Sequence, residues 1–343
     1  MSELQRFPAE WEPQSAVLIA WPHEGTDWAD RLAQVEQTYV ALVAAITRFQ
    51  QALVCVAGPA LRERAASQLS SAGVDLARVR FFEVEYDDTW LRDSGPITLR
   101  EGAGFRLLDF HFTAWGGKFE AGLDDQLVGK LHAAGVFGAA AHQRIDFALE
   151  GGGIETDGQG SLLSTWRCLH ERHPDKSRAE VTKILEGALA QSRTLWLEHG
   201  YLEGDDTDAH IDTLARFAAP DAIVFQACDD PADGHYHELT AMAGEIAALR
   251  TRDGQPYRLF PLPWAKPIVD EGRRLAASYA NFLIINGAVL MPAYGDPADG
   301  AAAAVLAAAF PGREIVPVNC RPLIWQNGSL HCVTMQLPEG LLA

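Results

Sequence analysis

Apolar positions along this chain follow two alternating patterns. Short runs rich in β-branched and aromatic residues, bounded by Gly, Pro or Asp, predict strands at 16–21, 52–58, 79–85, 106–112, 161–166, 193–197, 222–227, 282–291 and 329–336. Between them, apolar residues at three- and four-residue spacing predict helices at 29–49, 59–73, 120–134, 175–191, 238–250, 266–276 and 298–310. Helical segments set between strands define an α/β chain. No Ser/Gly-rich linker or charge block interrupts the pattern, so one domain is expected over 1–343.

A second regularity concerns polar residues. Those of chemical interest fall at 93, 150, 210, 281 and 332, with gaps of 57, 60, 71 and 51 residues. Each follows or sits in a strand run and precedes Gly or another turn residue. Residue identity between the intervals is too low to define a sequence repeat. The spacing nevertheless suits a ring of similar α/β units whose strand ends face one central site.

Composition narrows the function classes. Of 343 residues, 48% are hydrophobic and 22% charged, the make-up of a globular protein. No run of eighteen apolar residues exists to span a membrane, and Met1–Pro8 lacks the basic start and apolar run of a signal peptide. The net charge of −18 argues against nucleic acid and fits a small cationic substrate drawn in by a negative field. Acidity that merely keeps the protein soluble accounts for the charge equally well on its own. Five cysteines, at 55, 168, 228, 320 and 332, are widely spaced with no CxxC pair, so neither a disulfide framework nor a thiolate metal site is expected. A reducing cytoplasm suits them.

Candidate chemistry lies in five stretches: Trp90-Leu91-Arg92-Asp93, Trp115-Gly116-Gly117-Lys118, Glu150-Gly151-Gly152-Gly153, His210-Ile211-Asp212 and His331-Cys332. A carboxylate grips a planar guanidinium through two parallel hydrogen bonds and keeps its central carbon electrophilic. Asp93, Glu150 and Asp212 offer three such carboxylates beside turn residues. A thiolate is the strongest side-chain nucleophile at neutral pH, and a histidine can both protonate leaving ammonia and activate water. If His210 and Asp212 lie in extended chain, they share one face. Each group also has a local reading: a buried core thiol, a turn-capping histidine, an Arg92–Asp93 ion pair, a Trp115 hairpin packed on the surface. His235-Tyr236-His237-Glu238 could suggest a metal, but it follows a loop-like Asp/Gly/Pro stretch, has no third ligand at matching spacing, and reads as a solvated loop.

At these residues the chain resembles the agmatine deiminase family, also called the Porphyromonas-type peptidyl-arginine deiminase family. The likeness runs from Pro8-Ala9-Glu10-Trp11 through DDTWLRDSGP (87–96), FTAWGGKFE (112–120), LEGGGIETDG (149–158), DDTDAHIDTLARF (205–217) and SYANFLIINGAVLMPAYGD (278–296) to NGSLHCVTMQ (327–336). It implies a pentein propeller: five pseudo-symmetric ββαβ units around a central active site. It also implies a nucleophile at Cys332, a general acid/base at His210, guanidinium-holding carboxylates at Asp93 and Asp212, and a supporting acid at Glu150. Trp90 matches a pocket aromatic, and Trp115, Gly117 and Lys118 a loop at the pocket mouth. Departures occur at Asn327–Leu330, where the family commonly reads Gly-Gly-Gly-Asn-Ile, at Ala209, where Gly is usual, and over Trp196–Gly204.

The implied reaction turns agmatine into N-carbamoylputrescine and ammonia, a step toward putrescine and the polyamines, with no metal or organic cofactor. C-terminal peptidyl-arginine or free arginine are alternative substrates, but their carboxylates call for a cation near the pocket, and only Arg92, Lys118 and Arg216 stand near the motifs. A non-catalytic pentein binding protein is the remaining alternative. The expected partner is a small guanidino cation, with a homodimer as the candidate assembly and no nucleic acid or membrane.

Overall fold

The computed structural model describes residues 5–342. Met1–Leu4, the start of the segment read against a signal peptide, and Ala343, the end of the expected domain, lie outside the described residues.

The described strands form five sheets of three or four strands and one separate two-stranded hairpin. One connectivity recurs in all five sheets. A first strand pairs antiparallel with a second, the chain crosses over through helix, and a third strand joins parallel to the second, as a parallel pair requires. The first strands are Ile97–Glu101, Glu155–Thr156, Ala215–Ala219, Leu283–Ile285 and Met335–Pro338. The last of these pairs with Gln14–Ala20, so this sheet is assembled from both ends of the chain.

Strand Gln14–Ala20 is almost wholly buried, which is why it reads as a continuous apolar run rather than an alternating one. Helix Leu32–Thr47 covers that sheet with Val35, Tyr39, Leu42 and Ile46, a stripe at helical spacing. Helix Arg178–Ala188 opens with a reciprocal Ser177–Glu180 capping box and buries Val181 and Leu185.

Several expectations are corrected. The helix expected at 266–276 is irregular chain containing the hairpin Val269–Asp270/Arg273–Arg274. Its apolar spacing was misleading because Pro267 opposes helix, and Glu271 and Gly272 both adopt positive φ in the turn. The run 282–291 is two strands, Leu283–Ile285 and Ala288–Ala293, turning at Asn286-Gly287, where Gly287 has φ +75°. In 329–336 only the end is strand, and Cys332 sits in the turn before it. His235 is not in a solvated loop. It is buried, its Nδ1 2.7 Å from Asp233 Oδ1 and its Nε2 accepting from Glu203 N at 2.8 Å.

Candidate active site

A loop leads into each of the five first strands, and each loop delivers one of the regularly spaced polar residues. Asp93 precedes Ile97–Glu101, Glu150 precedes Glu155–Thr156, and His210 and Asp212 precede Ala215–Ala219. Asn281 precedes Leu283–Ile285, and His331 and Cys332 precede Met335–Pro338. Successive loops touch in chain order. Gly152 N donates to Asp93 Oδ1 at 3.0 Å, and His210 Nε2 lies 3.5 Å from Glu150 Oε2. Asn281 Nδ2 donates to the Asp212 carbonyl at 3.4 Å, and its Oδ1 accepts from His331 N at 2.9 Å. Arg92 N then donates to the Cys332 carbonyl at 3.1 Å, returning to the first loop.

Gly152 marks where the loops converge. A Cβ on it would lie 2.6 Å from His210 Nδ1, 2.7 Å from Asp93 Oδ1 and 3.2 Å from Asp212 Oδ2. Asp93, Glu150, His210, Asp212, Asn281 and Cys332 are all buried. His210 and Asp212 do not lie in extended chain as expected, since Ile211–Thr213 is a turn of 3₁₀ helix. They reach the same point from a turn instead. Cys332 Sγ is 3.3 Å from Asn281 Nδ2 and 3.8 Å from Asp212 Oδ2. Both His210 ring nitrogens and Asp212 Oδ1 lack a hydrogen-bond partner in the protein. A buried unpaired polar atom costs about 1–3 kcal/mol, so three in one place mark a site built for a hydrogen-bonding ligand.

Supporting contacts fix these groups. Trp115 Nε1 donates to Asp93 Oδ2 at 3.0 Å from a stretch in which Ala114, Trp115, Gly116 and Gly117 all have positive φ. Trp115 is therefore buried against the site, and the surface-hairpin reading fails. Arg172 ends helix Trp166–Arg172, donating through Nε to Glu150 Oε1 and through Nη1 to Asp208 Oδ2, both at 2.7 Å. Lys118 Nζ also donates to Asp208 Oδ2 at 2.7 Å, tying the Trp115 loop to the His210 loop. Among the described residues, Glu150, Cys168 and His210 alone group three potential metal-binding atoms within 4.8 Å, and Arg172 already occupies one Glu150 oxygen.

Charge in the site follows from burial set against these neighbours. Burial works against a charge on His210, but Asp93, Cys168 and Glu150 outweigh it and hold the imidazolium well above the usual range. Burial raises Glu150, yet the nearby His210 and the Arg172 guanidinium bring it below the ordinary carboxylate range. Burial pushes Asp93 up to about 6. The Cys332 thiol is pushed well above its usual value by burial, then by the Asp212 and Asp93 carboxylates. Arg172 can be tested directly. Arg172→Ala should destabilise the fold by about 3–5 kcal/mol in urea unfolding, because it leaves the Glu150 charge buried and unpaired. Adding Glu150→Gln should restore part of that loss, and strictly additive costs would refute the pairing.

Cys332 and Asp93 open onto a cavity of about 330 Å³. Trp90, Phe112, Trp115 and Phe119 form an aromatic wall, with Trp90 and Trp115 ring centres 6.4 Å apart. Its remaining lining includes seven carboxylates, at Asp27, Asp87, Asp88, Asp93, Glu120, Asp124 and Asp206, and no lysine or arginine. Burial and the nearby Asp27 raise Asp88 to about 7, and burial raises Asp124 to about 7. Of the cations near the motifs, Arg216 is buried on Glu10 and Glu155. Arg92 is also buried and faces Glu10 rather than Asp93, and Lys118 is engaged by Asp208.

The structure thus brings Cys332, His210, Asp93, Asp212 and Glu150 together, with Trp90 and Trp115 in the cavity wall. Gly117 and Lys118 lie on the neighbouring loop without lining the cavity. Asn281 was visible only as one of the regular positions. Glu10, Cys168, Arg172, Arg216 and His331 touch the machinery, though the sequence assigned none of them a part in it. Glu10 and Arg216 lie in matched motifs and His331 adjoins the thiol, which were the available signals.

Residues 6–338 match the Porphyromonas-type peptidyl-arginine deiminase family. The agmatine deiminase of Stutzerimonas stutzeri is 33% identical, the match covering 97% of this chain and 95% of that protein. A putative arginine deiminase structure from Porphyromonas gingivalis superposes with a TM-score of 0.92 at 45% identity, covering 99% of this chain and all of the other. The substrate-bound cysteine-to-serine form of C. jejuni agmatine deiminase gives 0.91 at 34%, covering 98% and 97%. Fold and likeness together define an amidine hydrolase of the guanidine-modifying class, which sets aside a non-catalytic role. The chain belongs to the Porphyromonas-type peptidyl-arginine deiminase family. Among the described residues, no helix is long and apolar enough to cross a membrane.

Proposed function

We propose that this enzyme hydrolyses agmatine to N-carbamoylputrescine and ammonia through a covalent intermediate on Cys332. The observation that carries the reading is the acid-lined, cation-free cavity ending at the thiol. Agmatine has a positive charge at each end, so its distal ammonium suits that lining, whereas the carboxylate of arginine would be repelled with no lysine or arginine to receive it. The agmatine deiminases among its relatives support the same choice.

In this mechanism Asp93 and Asp212 grip the guanidinium, whose charge offsets the carboxylates that keep the Cys332 thiol protonated. With the guanidinium bound, the thiol loses its proton to solvent, and the thiolate attacks the central carbon to give a tetrahedral adduct. His210, held as imidazolium by Asp93 and Glu150, gives its proton to the departing nitrogen. Ammonia leaves an S-alkylthiouronium. Water then attacks while His210 takes its proton, and the carbon–sulfur bond breaks to release the ureido product and the thiolate. The chain itself is read as one domain of five ββαβ units around a pseudo-fivefold axis. The repeated connectivity and the contacts between successive loops support that arrangement. Five free, buried cysteines support a reducing cytoplasmic setting.

Ammonia release should be measured across agmatine, free arginine and a peptide with C-terminal arginine. Agmatine should exceed both others in kcat/KM by at least about 100-fold, the size of one misplaced or unpaired charge in a closed site. A faster turnover of either carboxylate-bearing substrate would overturn the choice.

A further inference from the structure

Behind Asp212 lies a buried chain of charge that the deimination steps leave unused. His331 Nδ1 is 2.8 Å from Asp212 Oδ2, and His331 Nε2 is 2.8 Å from Glu10 Oε2. The same Glu10 oxygen accepts from Arg216 Nη2 at 2.8 Å, and Glu10 Oε1 accepts from Ile284 N at 2.7 Å. Arg216 continues through Nε to Glu155 Oε2 at 2.6 Å, while Arg92 Nη2 lies 3.8 Å from Glu10. All of these side chains are buried.

We propose that His331 is a positioning residue, a lasting imidazolium clamped between Glu10 and Asp212 that aims the Asp212 carboxylate and offsets its charge beside Cys332. This rests on the deimination reading. Burial and the Arg216 and Arg92 guanidiniums hold His331 below the usual imidazole range, against the opposing pull of Glu10 and Asp212. The two short carboxylate contacts argue for the charged ring against that shift. Apart from anything His331 adds, Arg216 and Arg92 work against burial to keep Glu10 ionised, and His210 and Arg216 do so for Asp212. Both oxygens facing the ring therefore accept, so both ring nitrogens must donate. A singly protonated imidazole would set a bare lone pair 2.8 Å from one carboxylate.

Two consequences follow for the reaction. Asp212 Oδ2 is committed to His331, so Oδ1, which has no protein partner, is the oxygen left to meet a guanidinium. Cys332 Sγ lies 3.8 Å from that committed Oδ2, so the thiol faces a carboxylate partly neutralised from behind. The charged groups around the thiol are then Asp212 and Asp93, with His210 across the site and His331 behind Asp212.

Three measurements test this. In ¹⁵N NMR of histidine-labelled enzyme, an imidazolium signal additional to that of His210 should persist up to pH 9 and vanish in His331→Asn. That variant should lose about 100-fold in kcat for agmatine, the usual cost of a misplaced catalytic group. It should also be alkylated by neutral iodoacetamide at Cys332 several-fold to about tenfold more slowly at pH 8, because unscreened Asp212 raises the thiol further. Glu10→Gln should make the His331 signal titrate below pH 9, a second route if His331→Asn folds poorly. A singly protonated His331 at neutral pH, or alkylation and kcat unchanged in His331→Asn, overturns the proposal. The NMR and iodoacetamide readings need no turnover, so they still decide the role of His331 if no guanidine proves to be a substrate.

Discussion

Cys332→Ser should turn over agmatine at least about 10⁴-fold more slowly than the unaltered enzyme, since a hydroxyl cannot supply the anion that a thiol can. The site gives no help to an alkoxide. It is buried, and Asp212 and Asp93 already press the thiol toward its neutral form. The same environment predicts how the resting enzyme behaves. A group whose ionisation is pushed upward stays protonated at neutral pH, so iodoacetamide should label Cys332 slowly at pH 7 and faster through pH 9. A haloacetamidine carries the amidinium charge that those carboxylates lack, so its labelling should be far less suppressed at pH 7. Mass mapping should find that label on Cys332 and on none of Cys55, Cys168, Cys228 or Cys320, which line no part of the acidic cavity. Near-native turnover by the serine form, or label on another cysteine, would remove Cys332 from the mechanism.

How far the sequence spoke depended on the kind of information each feature carries. Positions 93, 150, 210, 281 and 332 recur because each begins the same step of a repeated strand–strand–helix–strand path, and period survives in a sequence even when identity does not. Secondary structure was legible where one force dominated, as in the apolar Gln14–Ala20 and the stripe of Leu32–Thr47. It failed at 266–276, where helical spacing of apolar residues met Pro267 and a positive-φ turn at Glu271-Gly272. It failed again at His210–Asp212, where period-two reasoning reached the right convergence through the wrong conformation.

The supporting charges were harder to see for a physical reason. Glu10 lies 321 residues from His331, and 206 from Arg216, so nothing local in the chain reveals that they bond. An isolated Arg or Glu in a sequence reads as a surface charge, because unpaired charges are almost never buried. Only assembled do Glu10, Glu155, Arg92, Arg216 and His331 satisfy one another and become affordable inside. The cavity's specificity was also hidden: the seven carboxylates come from separate loops, and the total charge of −18 could not say that they share a wall.

The run Gly151-Gly152-Gly153 separates folding from chemistry within three residues, and Gly152→Ala should abolish activity while leaving a folded protein. None of the three has positive φ, so an alanine is not excluded by backbone conformation. What differs is the space each Cβ would enter. At Gly151 it would meet the Arg92 carbonyl at 2.2 Å, a backbone atom with little room to retreat, so Gly151→Ala should lower the unfolding midpoint as well as activity. At Gly152 its three nearest atoms would belong to the His210, Asp93 and Asp212 side chains, all within 3.2 Å, displacing the acid/base and both guanidinium-holding carboxylates together. A shift of about 1 Å in a catalytic group can cost 100-fold, so displacing three should reduce kcat/KM by well over about 100-fold. At Gly153 the nearest atoms are Cys168 Sγ at 3.4 Å and the His210 ring at 3.9 Å, an ordinary contact, so Gly153→Ala should retain most activity. Urea unfolding and agmatine kinetics on the three variants read both effects. If Gly152→Ala proved as active as Gly153→Ala, the guanidinium would have to bind away from the point where the loops converge, and the roles given to Asp93, His210 and Asp212 would fall with it.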